Sequence, residues 1–319
     1  MSARSPIIAR LPVSFFTITM GMAGFTMALR AGETALGLTA VMSWVAYGVT
    51  LVLFAIITTL YALKALTQFK MVQHEWCEPD RLALFPAFSI TMILLAAATL
   101  PLSEPLAHMI WLGAVPVQLI VTLAVVSGWI GHRSFKTNHI SPAWFVPAVG
   151  NGLVPIAGVP LGHIDLSWFF MSVAITFWGV LLAMVMNRLI FHDPLERRLQ
   201  PTLVILIAPP AVAFLGWVQL AGEIDAMARI LLNASYFFVL VVALHLPRIV
   251  RLEFTMSFWA LSFPFAAITS ASFAYARLTG SAIHNLFGLI LLAVLCAIIT
   301  SLLWRTAKAL HNGTALDPG

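Results

Sequence analysis

Ten stretches of this chain contain no Asp, Glu, Lys or Arg: 11–29, 34–63, 82–103, 105–132, 137–164, 166–187, 199–222, 230–247, 254–276 and 278–304. The shortest runs for 18 residues, and crossing the hydrocarbon core of a bilayer takes about 20 apolar residues. With 61% hydrophobic and 9% charged residues, a water-soluble domain would have nothing to cover its surface. Membrane β-barrels alternate apolar and polar residues over about 10 positions, whereas these runs are continuous. The expected fold is an all-α polytopic membrane protein forming a single transmembrane domain over 1–319. Its ten helices are expected near 11–30, 38–64, 82–102, 105–131, 142–160, 166–189, 200–222, 228–247, 254–277 and 281–307. The basic-then-apolar start, MSARSPIIARLPVSFFTITMGMAG, resembles a signal peptide. It lacks a small-x-small cleavage site and is read as the first retained helix.

The basic residues set the orientation, because Lys and Arg collect in cytoplasmic segments. Of the 17, Arg30, Arg229 and Arg277 fall on one side and the other fourteen, from Arg4 to Lys308, on the other. Both termini are therefore expected in the cytoplasm. The net charge of +5 reflects this topology, and no nucleic-acid partner is expected. The partners implied are the lipid bilayer and whatever crosses it.

A proline recurs in every second apolar run, at Pro12, Pro86, Pro147, Pro209 (followed by Pro210) and Pro264. Proline inside a helix removes a backbone hydrogen bond, and in lipid such a break survives where it is buried or faces a cavity. Short connections on the outer side, such as 102–108 and 278–284, make five helical hairpins. A quasi-fivefold array would put the odd helices inside, around a pore, and the even helices outside. The same prolines also fit ordinary packing kinks. Pro12 falls where a helix would start, and Pro116 lies in an even helix.

Catalytic and cofactor motifs are missing: no full GxGxxG, HExxH, GxSxG or phosphate loop occurs. No enzyme activity, cofactor or metal is expected. His132 and His139 could meet a metal only by folding of HRSFKTNH, and interfacial histidines are the favoured reading. Cys77 and Cys296 imply no disulfide. The spans also lack the ionisable relays that ion-coupled pumps keep at membrane depth. What remains mid-span is hydroxyls and amides, including Thr17, Thr19, Ser89, Thr91, Asn151, Gln219, Ser262, Thr269, Ser270 and Ser272. These can meet a passing ion but carry no proton, which favours passive anion passage over proton-coupled transport.

Phe16, Phe85, Phe145, Phe214 and Phe263 each lie within five residues of a marker proline. Rings facing a shared axis would form a steric or dewetting constriction. Rings in apolar helices also simply pack. Phe263, directly before Pro264 and near mid-membrane, is the sharpest candidate.

The N-terminal LPVSFFTITMG, the prolines of the odd helices and WALSFPFAAITSAS in the ninth helix resemble the tellurite-resistance/C4-dicarboxylate transporter (TDT) family. That family takes in bacterial TehA-like proteins and the slow-type anion channels of plant guard cells. The resemblance implies a homotrimer, with a pore in each protomer lined by the five odd helices. It implies that a ninth-helix phenylalanine, here Phe263, plugs the pore, with Phe16 and Phe214 as further pore residues. It implies transport of small inorganic or organic anions. One departure is visible: Ser14 and Thr17 stand where the family usually has glycine. The leading expectation is a gated anion channel or channel-like uniporter. The alternative is a secondary transporter of C4-dicarboxylates or tellurite-like oxyanions, with Arg30, Arg229 and Arg277 as possible counter-charges.

Overall fold

The computed structural model describes residues 10–131 and 135–313. Arg4, Arg133 and His132, and with His132 the two-histidine metal idea, lie outside the described residues. Regular structure among the described residues is entirely helical. In chain order the helices are α1 (Phe16–Ala35), α2 (Val41–Thr67), α3 (Phe69–Cys77), α4 (Pro79–Leu82), α5 (Ala87–Thr99), α6 (Glu104–Gly131), α7 (Phe145–Gly158), α8 (Ile164–Phe191), α9 (Ala208–Ala221), α10 (Ala226–Ile249), α11 (Ser262–Thr279) and α12 (Ala282–His311). Counted with their leading turns, nine are long and apolar enough to cross a membrane. Helix α7 is shorter: a 3-10 turn at Pro142–Trp144 precedes 14 α-helical residues.

Pairing follows the chain: α1 packs on α2, α5 on α6, α7 on α8, α9 on α10 and α11 on α12. The first member of each pair also touches the next, and α11 closes back on α1. Helices α1, α5, α7, α9 and α11 thus form an inner ring inside five outer helices. Burial follows the ring. The apolar windows containing α1, α5, α9 and α11 are 72–78% buried, and those of the outer helices 17–33%. Every residue of α7 except Ile156 is buried. An exposed apolar face suits a helix whose solvent is lipid.

Small residues let the inner helices approach closely. A Cβ on Gly21 of α1 would run into the Ser262 side chain of α11, reaching its Cβ at 2.7 Å. A Cβ on Gly216 of α9 would sit 2.5 Å from the Gly152 carbonyl of α7. Gly222 and Gly280, with φ of 75° and 70°, end α9 and α11 in left-handed caps that open the short turns to the outer helices.

The marker prolines do not interrupt α-helix in mid-run. Each inner helix begins with a tight turn or 3-10 stretch: Val13–Phe15, residues 83–86, Pro142–Trp144, Gln200–Ile207 and Met256–Leu261. Pro12 precedes the first of these, Pro86 caps α5, and Pro147, Pro209, Pro210 and Pro264 lie within the first three residues of their α-helices. There the missing N–H had no intrahelical acceptor, so proline costs little. The irregular stretch is this turn or 3-10 entry, and the prolines cluster at it. Prolines well inside helices are Pro116, Pro155 and Pro247.

The connection between α2 and α5 folds into α3 and α4, which apolar-run reading did not show. It is tied down by charge. Glu75 of α3, 3% exposed, bonds Lys64 of α2 at 3.0 Å and Arg81 of α4 at 3.3 Å, and accepts from the Tyr61 hydroxyl at 2.8 Å. Lys64 Nζ also donates to the Leu11 carbonyl at 2.7 Å. A buried carboxylate and ammonium persist only when paired and fully hydrogen-bonded, as here.

Candidate functional site: two cavities and one ring

Two cavities lie along the inner ring. The smaller, about 640 Å³, is walled by residues of all five inner helices, among them Gly24, Leu94, Leu153, Val212 and Ala267. The larger, about 1150 Å³, is lined by Thr17, Ile90, Val149, Ala208 and Pro264 of the same helices. Arg10 and Ala309 also line it, so it opens at the face carrying both ends of the chain. The smaller cavity opens at the opposite face, where α1, α5, α7, α9 and α11 end.

Among the described residues, Phe263 is the one common to both linings. It is 4% exposed, and its ring stands between two roomy compartments. Local sequence fixes its direction. The preceding 3-10 stretch is pinned to α12 by the Trp259 indole N–H, which donates to Thr306 Oγ1 at 2.9 Å. The Ser262 hydroxyl turns back to the Trp259 carbonyl at 2.6 Å, and Ser262 faces Gly21. One residue further along a helix is about 100° further round, which turns Phe263 away from Gly21 and into the passage. Its ring edge rests against Gly24, where a Cβ would lie 3.1 Å from Phe263 Cδ2.

The other candidate rings lie elsewhere. Phe16 joins an aromatic cluster with Phe54, Tyr61 and Phe88, at centroid distances of 5.2–6.4 Å, between α1, α2 and α5. Phe85 packs edge-on against Trp76 at 4.8 Å. Phe145 and Phe214 are fully buried, and Phe214 neighbours Tyr275 at 6.4 Å. None of the four lines either cavity. Of the prolines, Pro12 and Pro264 line the larger cavity, whereas Pro86, Pro147, Pro209 and Pro210 line neither.

Most mid-span hydroxyls are already used. Thr19 donates to the Phe16 carbonyl and meets Thr91 at 3.0 Å. Ser89 donates to Gln118, Asn151 to the Pro147 carbonyl, and Thr269 and Ser272 to carbonyls one turn back. Thr17 faces the larger cavity beside Ser14, whose carbonyl it bonds at 2.6 Å, and Gln219 and Ser270 face the smaller one. Ser14 and Thr17 thus both border the larger cavity.

Charge differs between the compartments. The larger has three arginines, Arg10, Arg81 and Arg198, against Glu75, Glu78 and Asp80, with His74 beside them. Several are paired: Arg81 with Glu78 at 2.6 Å, Arg198 with Asp80 at 3.0 Å and His74 with Glu78 at 3.1 Å. The smaller is bordered by Arg30 and Arg277 and by no acidic residue. Arg229 is not in its lining and donates instead to the Tyr275 hydroxyl at 3.1 Å. No group of three or more His, Cys, Asp or Glu side chains among the described residues could hold a metal ion.

The chain is similar to several known proteins. The "S-type anion channel SLAH3" of Arabidopsis thaliana is 25% identical over 314 residues, covering 94% of this chain and 48% of the relative. The "Guard cell S-type anion channel SLAC1" of the same plant is 22% identical over 282 residues, 85% of this chain and 51% of the relative. The chain therefore spans about half the length of these plant relatives. The "Tellurite resistance protein TehA homolog" of Haemophilus influenzae is 25% identical over 268 residues, 83% of this chain and 81% of the relative. The profile of the SLAC1 family, described as voltage-dependent anion channel, matches residues 10–307. With that match covering nearly all of a chain built as five hairpins around a shared passage, the protein belongs to the SLAC1 family.

Proposed function

We propose that the protein is a gated channel, or channel-like uniporter, for small anions. The passage runs through its own five-helix ring and is closed in this conformation by Phe263. The observation that carries this reading is that one ring, and no other side chain, borders both cavities. A bulky apolar side chain at the join of two wet compartments blocks an ion sterically and by dewetting. Membership of an anion channel family supports the nature of the cargo. So does the smaller cavity, which has arginines and no carboxylate.

The face carrying the chain ends is assigned to the cytoplasm on the distribution of basic residues, and the host membrane to a bacterial inner membrane. The homotrimeric state rests on family resemblance. A role without enzymatic activity is supported by membership of an anion channel family.

The test is current through Phe263→Ala in oocytes or planar bilayers under chloride, nitrate, iodide and malate gradients. Channel behaviour requires current well above the parent, with a reversal potential that follows the anion gradient. Saturable uptake that needs a proton gradient, without such current, would favour the secondary-transporter reading of the family.

A further inference from the structure

The smaller cavity holds a charge arrangement that closing a passage does not require. All five inner helices end at this face, and the cavity lining includes residues at or just beyond each end: Ala35, Leu100, Pro160, Gln219 and Gly280. Helix C-termini carry partial negative charge. Five together would repel an anion approaching from this side. Among the described residues, Arg30 and Arg277 are the only charged ones in the lining.

Neither arginine forms a salt bridge with a carboxylate among the described residues, although Glu33, one turn along α1, acts on Arg30 through space. Arg277 is exposed and unpaired at the end of α11. Arg30 has its guanidinium carbon 3.9 Å from the centre of the Trp44 ring, and Nη1 donates to the Ala98 carbonyl at 3.3 Å. That leaves most of its fork of donors unused. Two nearby acids have other work. Glu33 accepts from the backbone N–H groups of Met42 and Ser43 at the start of α2, and Asp225 from Ala228 N–H and the Trp217 indole. Neither borders the cavity.

We propose that this cavity is an anion-binding site loaded from the face opposite the chain ends, with Arg30 and Arg277 as its cationic groups and small monovalent oxyanions as its ligands. This rests on the channel reading above and adds to it a place where the ion pauses before Phe263. The planar guanidinium matches two oxygens of one ion. The mostly apolar walls offer few groups to replace a tightly held hydration shell. Nitrate therefore binds better than fluoride. The larger cavity, with its acids and arginines in equal number, holds anions more weakly.

The test uses the full chain with Phe263→Ala, so that the gate does not limit current, and titrates nitrate separately on each face of excised patches. Half-saturation is reached at lower nitrate on the opposite face than on the face with the chain ends. Adding Arg277→Gln raises the opposite-face value roughly tenfold, the scale on which local charge concentrates counter-ions, and leaves the other face unchanged. Arg277→Lys recovers part of the loss. Equal shifts on both faces, or no shift, overturn the proposal while leaving the channel reading intact. If Phe263→Ala carries no current, the channel reading fails, and the site is tested without current by phenylglyoxal labelling of Arg277 in purified protein. Nitrate should slow that labelling several-fold and fluoride should not, and equal labelling in both overturns the site.

Discussion

The ring of Phe263 rests on the bare α-carbon of Gly24: a methyl group there would lie 3.1 Å from Phe263 Cδ2 and 3.1 Å from Ala266 Cβ. The side chain that divides the two cavities is therefore seated by α1, and α1 and α11 together set how far it reaches across the passage.

Gly24→Ala should disturb the seat without dismantling the ring of helices. The added methyl gains up to about 1 kcal/mol of helix propensity, which offsets much of the cost of crowding. The expected outcome is a leak current several-fold above the parent, with a melting temperature within a few degrees of it. A tight, parent-like protein would show that the seat does not position the ring.

Gly21→Ala is a different lesion, since its methyl meets Ser262, with Cβ atoms 2.7 Å apart. The helices must separate, costing about 1–3 kcal/mol. Ser262→Gly in the same chain should restore most of the stability. Thermal unfolding in detergent of the two single variants and the double variant reads this directly.

The Lys64–Glu75 pair should behave as a buried ion pair. Glu75→Gln strands the Lys64 ammonium and is expected to cost about 3–5 kcal/mol, whereas replacing both by apolar residues of similar size should cost much less. A thermodynamic cycle on Lys64→Met, Glu75→Leu and the double variant checks this. Additive losses would contradict it.

Asp225 caps α10. The Ala228 N–H, helped by the Trp217 indole, holds its carboxyl below its ordinary value of 3.8. A depressed carboxyl contributes stability that is present above the unfolded value and is lost as pH falls through the folded one. The stability gap between the parent and Asp225→Ala should therefore stay constant from neutral pH to about 4, the ordinary range for such a group, and shrink below it. A gap that grows on acidification would reverse the assignment.

The ring of hairpins was legible because lipid permits little else: uncharged runs of bilayer length must be helices, and short connections make neighbours. The marker prolines singled out the inner helices correctly, and they stand at the entries of those helices, beside a turn or 3-10 segment, and not in the middle of an α-helix. Which rings face the axis was much less legible. Phe16, Phe145 and Phe214, like Phe263, stand within five residues of a marker proline, yet they turn into contacts between helices. Facing is decided by helix rotation, where one residue means about 100°, and that rotation depends on partners such as Gly21 against Ser262. The short α3 and α4 escaped notice because Glu75, Glu78 and Arg81 read as a polar loop. Their order comes from contacts with Lys64 and Tyr61, distant in the chain.

If Phe263 is the gate proposed above, the volume of the side chain at position 263 sets the conductance. Single-channel current is to be recorded through a series in which Phe263 is replaced by Leu, Val and Ala, with surface expression matched. Current should rise stepwise as the side chain shrinks, with Ala highest and the parent nearly silent. Equal currents across the series would rule out Phe263 as the gate.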